Sequence, residues 1–127
     1  MAFLIGHEIR QLANSVAIDA FSATAQAVYT APPSKQVVIT GLTLRCTAAV
    51  AVSAPATVKL EINPAAGDLF DAEILTAVLA VDDQWSFVAE GRGLVVPAGG
   101  QVDVTVTNAA TGTSQTLNAD LLGYFVF

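Results

Sequence analysis

The sequence is short of charge of either sign. Only 13% of its 127 residues are charged, five basic and eleven acidic, which gives a net charge of −6 and a pI near 4.3. Five scattered cations cannot form the basic patch that displaces counterions from nucleic acid or docks on an anionic membrane, so we expect neither as a partner. No apolar run approaches the roughly 18 residues of a transmembrane helix.

Cysteine and histidine occur once each, as Cys46 and His7. One cysteine forms no internal disulfide, which fits assembly in a reducing cytoplasm, and the N-terminus lacks the basic region of a signal peptide. A zinc site needs three or four ligands, and His7 has no partner nearby in the sequence. Cys46 stands in the apolar row of a strand, so we interpret it as a buried small hydrophobic residue rather than a nucleophile.

Other chemical motifs are missing as well. The sequence has neither a GxxxxGK[ST] phosphate loop nor a GxSxG elbow. Its densest acidic cluster matches no EF-hand spacing, so we favour a solvated edge over a calcium site. The cluster consists of Asp68, Asp71, Glu73, Asp82 and Asp83. Trp85 and Phe87 share one face of a strand, where a core role is favoured over a sugar-stacking platform. We therefore expect no cofactor, no metal and no enzymatic activity.

What the sequence has in abundance is Ala, Val and Thr, which together fill 51 positions, and the abundant Val and Thr favour strands. Apolar and polar residues alternate in three segments, 36–47, 57–63 and 101–107. This alternation predicts strands with one side on the core and the other exposed to solvent. In the first segment the apolar row is Val38, Leu42, Leu44 and Cys46, opposite Thr43 and Arg45. In the other two segments the rows are Val58, Leu60, Ile62 and Val102, Val104, Val106.

The segment 68–81 is open to two interpretations, a capped helix or a bent strand, and the surrounding β pattern favours the strand. Counting it, about eight short strands are separated by turn residues, which predicts an all-β fold, an antiparallel β-sandwich or jelly roll. We assign residues 15–127 to this single domain. Residues 1–14 are expected to form an N-terminal arm.

Apolar residues at both ends of the chain are not needed for the sandwich. The last strand is apolar on both sides near its end, so we expect a second cover besides the core. We predict that the arm and this strand lie at a subunit interface, although a disordered arm and aromatics filling the monomer's own core are equally compatible. The predicted interface residues are Phe3, Leu4, Ile5, Ile9, Tyr124, Phe125 and Phe127.

Three segments carry a family resemblance. AVYTAPPSKQVVITGLTLRCTAAVAVSAPATVKLEIN (27–63) has a strand, a YTAP turn and an ITGLTL strand, and WSFVAEGRGLVVPAGGQVDVTVTN (85–108) has a GLVVPAGG turn before a valine-rich strand. The chain then closes on LLGYFVF (121–127). Together they resemble the small β-sandwich virion proteins of tailed bacteriophages, which serve as capsid decoration (cement) proteins or as fibre and tail-tip modules.

The resemblance implies a non-enzymatic structural protein that forms homo-oligomers, trimers above all, and binds the major capsid protein to stabilise the shell. Its place would be the capsid surface of the virion, after synthesis in the host cytoplasm. Because the chain runs from Met1 to the closing strand, we expect a whole small gene product, which favours decoration over a fibre module. The alternatives are a receptor- or glycan-binding fibre tip and a non-viral β-sandwich, the latter disfavoured by the missing signal peptide and disulfides.

Overall fold

The described residues of the computed structural model are 9–62, 70–76, 80–89 and 93–126. They contain no helix that is long and apolar enough to cross a membrane. They form nine strands: β1 (Arg10–Asp19), β2 (Ala25–Thr30), β3 (Gln36–Val50), β4 (Thr57–Ile62), β5 (Phe70–Thr76), β6 (Gln84–Val88), β7 (Leu94–Val96), β8 (Gln101–Asn108) and β9 (Ser114–Val126).

The strands form two antiparallel sheets. The five-stranded sheet has the order β1-β9-β3-β6, and β7 pairs with β3 on the same side as β6. The four-stranded sheet has the order β2-β8-β4-β5. This arrangement confirms the predicted all-β sandwich. The segment 68–81, which was open between helix and strand, contains the strand β5.

Each sheet packs its inner side against a single shared core. Leu44 and Leu121 of the five-stranded sheet and Leu60 and Val104 of the four-stranded sheet are fully buried in the same cluster. Burying each such side chain contributes about 1.5–3 kcal/mol relative to exposure. The predicted rows of β4 and β8 are confirmed, since all six of their residues are buried. Cys46 is also fully buried and packs in this core as predicted.

The face predicted for Val38 is wrong. Val37 and Ile39 pack in the core at the start of β3, whereas Leu42, Leu44 and Cys46 do so further along. A register shift between Ile39 and Gly41 inserts one residue, and such a bulge exchanges the two faces of a strand. Val38 therefore belongs to the outward row, although its neighbours leave it only 5% exposed.

The boundary drawn between Asn14 and Ser15 falls inside β1. Residues from Arg10 onward pair with β9, so that five residues assigned to the arm belong to the sheet. Their irregular apolar pattern has a physical reason, because β1 shifts register twice, between Gln11 and Ala13 and between Ala13 and Val16. Of the predicted arm, residues 1–8 lie outside the described residues.

Candidate interaction surface

The outward side of the five-stranded sheet carries two apolar rows near the end where β9 finishes. In one row Gly41 of β3 lies between Leu122 and Val88, its paired neighbours on β9 and β6. In the next row Val38 lies between its paired neighbours Tyr124 and Val95. We call Val38, Val88, Val95, Leu122 and Tyr124 the apolar face.

Three side chains of the apolar face are open to water. Val88 is 72% exposed, Val95 52% and Leu122 40%. At the centre, a Cβ added to Gly41 would have a single neighbour within 4 Å, the carbonyl oxygen of Phe87 at 3.3 Å. Gly41 itself is buried, and at this distance from the backbone of β6 a side chain at position 41 would be tightly placed.

The middle of this outer face is polar and internally hydrogen-bonded, and Val50, 51% exposed, lies at the far end of β3. The hydroxyls of Thr43 and Ser86 lie 3.3 Å apart, and the Arg45 guanidinium donates to Asp82 Oδ1 at 2.7 Å. Asp120 accepts the backbone N–H of Ser15 at 2.7 Å. Polar rows with their own partners are typical of a solvated surface, so these rows separate the apolar face from the opposite end of the sheet.

A second cluster lies at the same end of the sandwich. The Phe125 ring packs against the core and has two cations over it, the Arg10 guanidinium carbon 5.1 Å and the Lys35 Nζ 5.6 Å from its centroid. Such cation–π contacts contribute about 0.5–1 kcal/mol each at exposed sites. The two contacts stabilise the packing of the first residue of β1 and the turn before β3 against the end of β9.

The predicted interface residues occupy different places. Tyr124 is part of the apolar face, Phe125 lies on the core side, and Ile9 is 58% exposed just before β1. Phe3, Leu4, Ile5 and Phe127 lie outside the described residues, as does His7.

Sequence reasoning missed the outward roles of Val88, Val95 and Leu122. Val88 could have been found, because in 84–88 it alternates with Trp85 and Phe87 and so faces away from them. The placement of Val88 and Leu122 on either side of Gly41 had no sequence signal, because it results only from the pairing of β6 and β9 with β3.

The other candidate sites are explained by packing and turns. Trp85 and Phe87 lie with ring centroids 6.5 Å apart and pack against the core, as the favoured interpretation predicted. Asp82 pairs with Arg45, and Asp83 accepts the backbone N–H of Ala80 at 3.0 Å. Among the described residues no group of three His, Cys, Asp or Glu side chains is arranged to hold a metal ion.

One buried carboxylate was not foreseen. Asp103 lies on the outward side of β8 but is only 3% exposed, and it accepts the side-chain amide of Gln101 at 2.6 Å. Its paired neighbour on β4 is Glu61, which in turn pairs with Asp71 of β5. The outer side of the four-stranded sheet thus carries acidic positions, in contrast to the apolar face.

The fold has a counterpart among solved structures. A chain in the structure described as "Cyanophage Pam1 capsid asymmetric unit" matches it with a TM-score of 0.56 and 18% sequence identity, over 94% of this chain and 86% of that one. At that identity the likeness shows a shared fold. No protein-family model and no curated protein sequence matches this chain.

Proposed function

We propose that this chain is a structural protein of a bacteriophage virion, and more narrowly a capsid decoration protein. In this role it forms homo-oligomers, with trimers favoured, and binds the major capsid protein on the outside of the shell, which it stabilises. It acts by binding and burial and carries out no reaction.

The observation that carries the proposal is the likeness in fold to a chain of a capsid asymmetric unit. The match extends over nearly the whole of this chain, and both chains are of similar length, since 86% of the other is covered. A shared fold alone does not determine function. Here it agrees with the virion family that segments 27–63, 85–108 and 121–127 resemble.

The surface of the described residues adds a physical reason. The chain has few charges, and it exposes apolar side chains at one end of the five-stranded sheet, on the apolar face and at Ile9. Burying such side chains against another chain removes apolar surface from water and so favours association at this end. A subunit that completes its burial on neighbouring chains is expected to have such a surface.

A glycan-binding fibre tip finds less support. That function needs aromatic rings on an open surface, where they can stack on a sugar. Trp85 and Phe87, the aromatic pair considered for it, pack against the core instead.

Binding to capsids that lack this protein tests the proposal. We expect the purified chain to sediment with the shells, to saturate at a fixed number of copies per capsid protein, and to raise the temperature at which the shells break. Absence of saturable sedimentation would refute the decoration role, and specific binding on a glycan array without capsid binding would favour the fibre tip.

A further inference from the structure

We propose that Asn14 is a site of self-modification, at which the chain converts this asparagine to aspartate or isoaspartate through a succinimide ring. The nucleophile is the backbone nitrogen of Ser15, and the base that receives its proton is the carboxylate of Asp120. The change occurs once in each chain and turns over no substrate. It goes beyond the proposed function and does not rest on it.

The second register shift of β1 brings the reacting groups together. This shift, between Ala13 and Val16, places Asn14 and Ser15 opposite the single residue Asp120. A bulge of this kind leaves its extra residue without a partner in the ladder. The N–H of Ser15 donates to Asp120 Oδ1 at 2.7 Å. Because β1 is an edge strand, Asn14 and Ser15 are both exposed to water.

The hydrogen bond to Asp120 has the geometry of a general base. Such a base lies within about 2.6–3.2 Å of the atom whose proton it receives, and Asp120 Oδ1 lies 2.7 Å from the Ser15 nitrogen. An amide nitrogen is a poor nucleophile until its proton begins to leave, because its lone pair is delocalised into the carbonyl group. The carboxylate therefore assists the step in which the ring closes.

The side-chain oxygen of Asn14 has donors where negative charge develops during the attack. The Ser15 hydroxyl donates to Asn14 Oδ1 at 3.1 Å, and Gln11 Nε2 lies 3.5 Å from the same oxygen. Donors aimed at a developing oxyanion stabilise the transition state of attack on a carbonyl carbon. Ser15 thus supplies both the nucleophile and one of these donors, and its small side chain does not obstruct ring closure.

The bonds and protons balance with water as the only other reagent. The Ser15 nitrogen forms a bond to Asn14 Cγ while its proton passes to Asp120. The bond from Cγ to Nδ2 then breaks, and Nδ2 leaves as ammonia with the proton that Asp120 returns. Water opens the ring at either carbonyl, which gives aspartate or isoaspartate and places a second negative charge beside Asp120.

Asn108 provides a comparison within the same chain. It is exposed at the end of β8 and precedes the small residue Ala109, so it matches Asn14 in exposure and in the size of the following side chain. Asn63 is no such comparison, because it precedes Pro64, whose nitrogen has no proton to lose. Faster conversion of Asn14 than of Asn108 is therefore attributable to the groups that surround it.

Peptide mapping of the full-length chain tests the inference. The folded wild type is incubated near neutral pH, and three products are quantified at Asn14 and Asn108: aspartate, isoaspartate and the succinimide, which has lost the mass of one ammonia. We expect Asn14 to convert at least tenfold faster than Asn108, a modest part of the about 10²–10⁴-fold that general acid–base catalysis contributes. In chain unfolded by urea the two rates should become similar.

Asp120→Asn separates the base from the hydrogen bond. This variant keeps an acceptor oxygen for the Ser15 N–H but takes up no proton near neutral pH, so conversion at Asn14 should fall at least tenfold while hydrogen exchange in β1 stays largely unchanged. Ser15→Ala keeps the nucleophile and loses one donor, so it should slow conversion several-fold.

Three results would overturn the inference. The first is conversion of Asn14 no faster than that of Asn108 in the folded chain. The second is conversion in Asp120→Asn at the wild-type rate. The third is faster conversion in Asp120→Ala, which would mean that the hydrogen bond to Asp120 restrains the Ser15 nitrogen and protects Asn14.

Discussion

At the scale of single residues, Gly123 has almost no room for a side chain. It is buried on β9 between β1 and β3, and a Cβ there would collide with the carbonyl oxygen of Val38 and lie 2.8 Å from the Leu12 side chain. We expect Gly123→Ala to lower the free energy of unfolding by roughly 3 kcal/mol, the upper end of the cost of overpacking, as measured by urea titration. Gly99→Ala, with a φ of +74° but no atom within 4 Å, should cost only about 1 kcal/mol. Equal losses would contradict the steric explanation.

The phenol of Tyr29 should make stability depend on pH in the alkaline range. Tyr29 packs against the core, and burial raises its pKa above the ordinary 10.0. The phenol therefore loses its proton at a lower pH in the unfolded chain than in the folded chain. The stability that Tyr29 contributes is fully present below the unfolded pKa and is lost as the pH rises through the folded pKa. In urea titrations between about pH 8 and pH 10.5, we expect the free energy of unfolding to fall less for the Tyr29→Phe variant than for the wild type. The same change in Tyr124→Phe would argue against a specific role of Tyr29.

At the scale of elements, the edge strand β1 depends on one carboxylate. Ser15 has a φ of 52° at the second register shift, and its N–H donates to Asp120 Oδ1, which also accepts from Gln11 Nε2 at 3.2 Å. These bonds are exposed, so we expect Asp120→Ala to cost about 1 kcal/mol and to speed hydrogen exchange in β1 more than in β8. Asp120→Asn keeps an acceptor oxygen and should restore most of the protection. Unchanged exchange in β1 would show that the carboxylate does not hold this edge.

The elements also show what can be predicted from an amino-acid sequence. Period-two alternation identified β4 and β8 and their buried rows, because both strands face one shared core along their whole apolar row. It misplaced Val38 because a bulge depends on the pairing of β3 with β9, which a single segment does not encode. The same applies to β1, whose register shifts concealed its strand character between Arg10 and Asn14.

At the scale of the whole molecule, the candidate surface could be predicted only in part. The apolar ends of the chain indicated an interface, and Tyr124 does lie on the apolar face. Its other members come from β3, β6, β7 and β9, and they become neighbours only once the strand order is known. A surface assembled from four strands has no local sequence pattern, in contrast to a strand or a turn.

The single core predicts that the two sheets unfold together. Leu44 of the five-stranded sheet and Leu60 of the four-stranded sheet are fully buried in one cluster, so Leu44→Ala and Leu60→Ala should each cost about 2–5 kcal/mol. Trp85, the only tryptophan, lies in the five-stranded sheet, and its fluorescence reports on that sheet, whereas far-ultraviolet circular dichroism reports on both. The two signals should change at the same urea concentration in both variants, as two-state unfolding requires. If Leu60→Ala shifts the dichroism transition and leaves the Trp85 transition in place, the sheets unfold separately and the sandwich is not one cooperative unit.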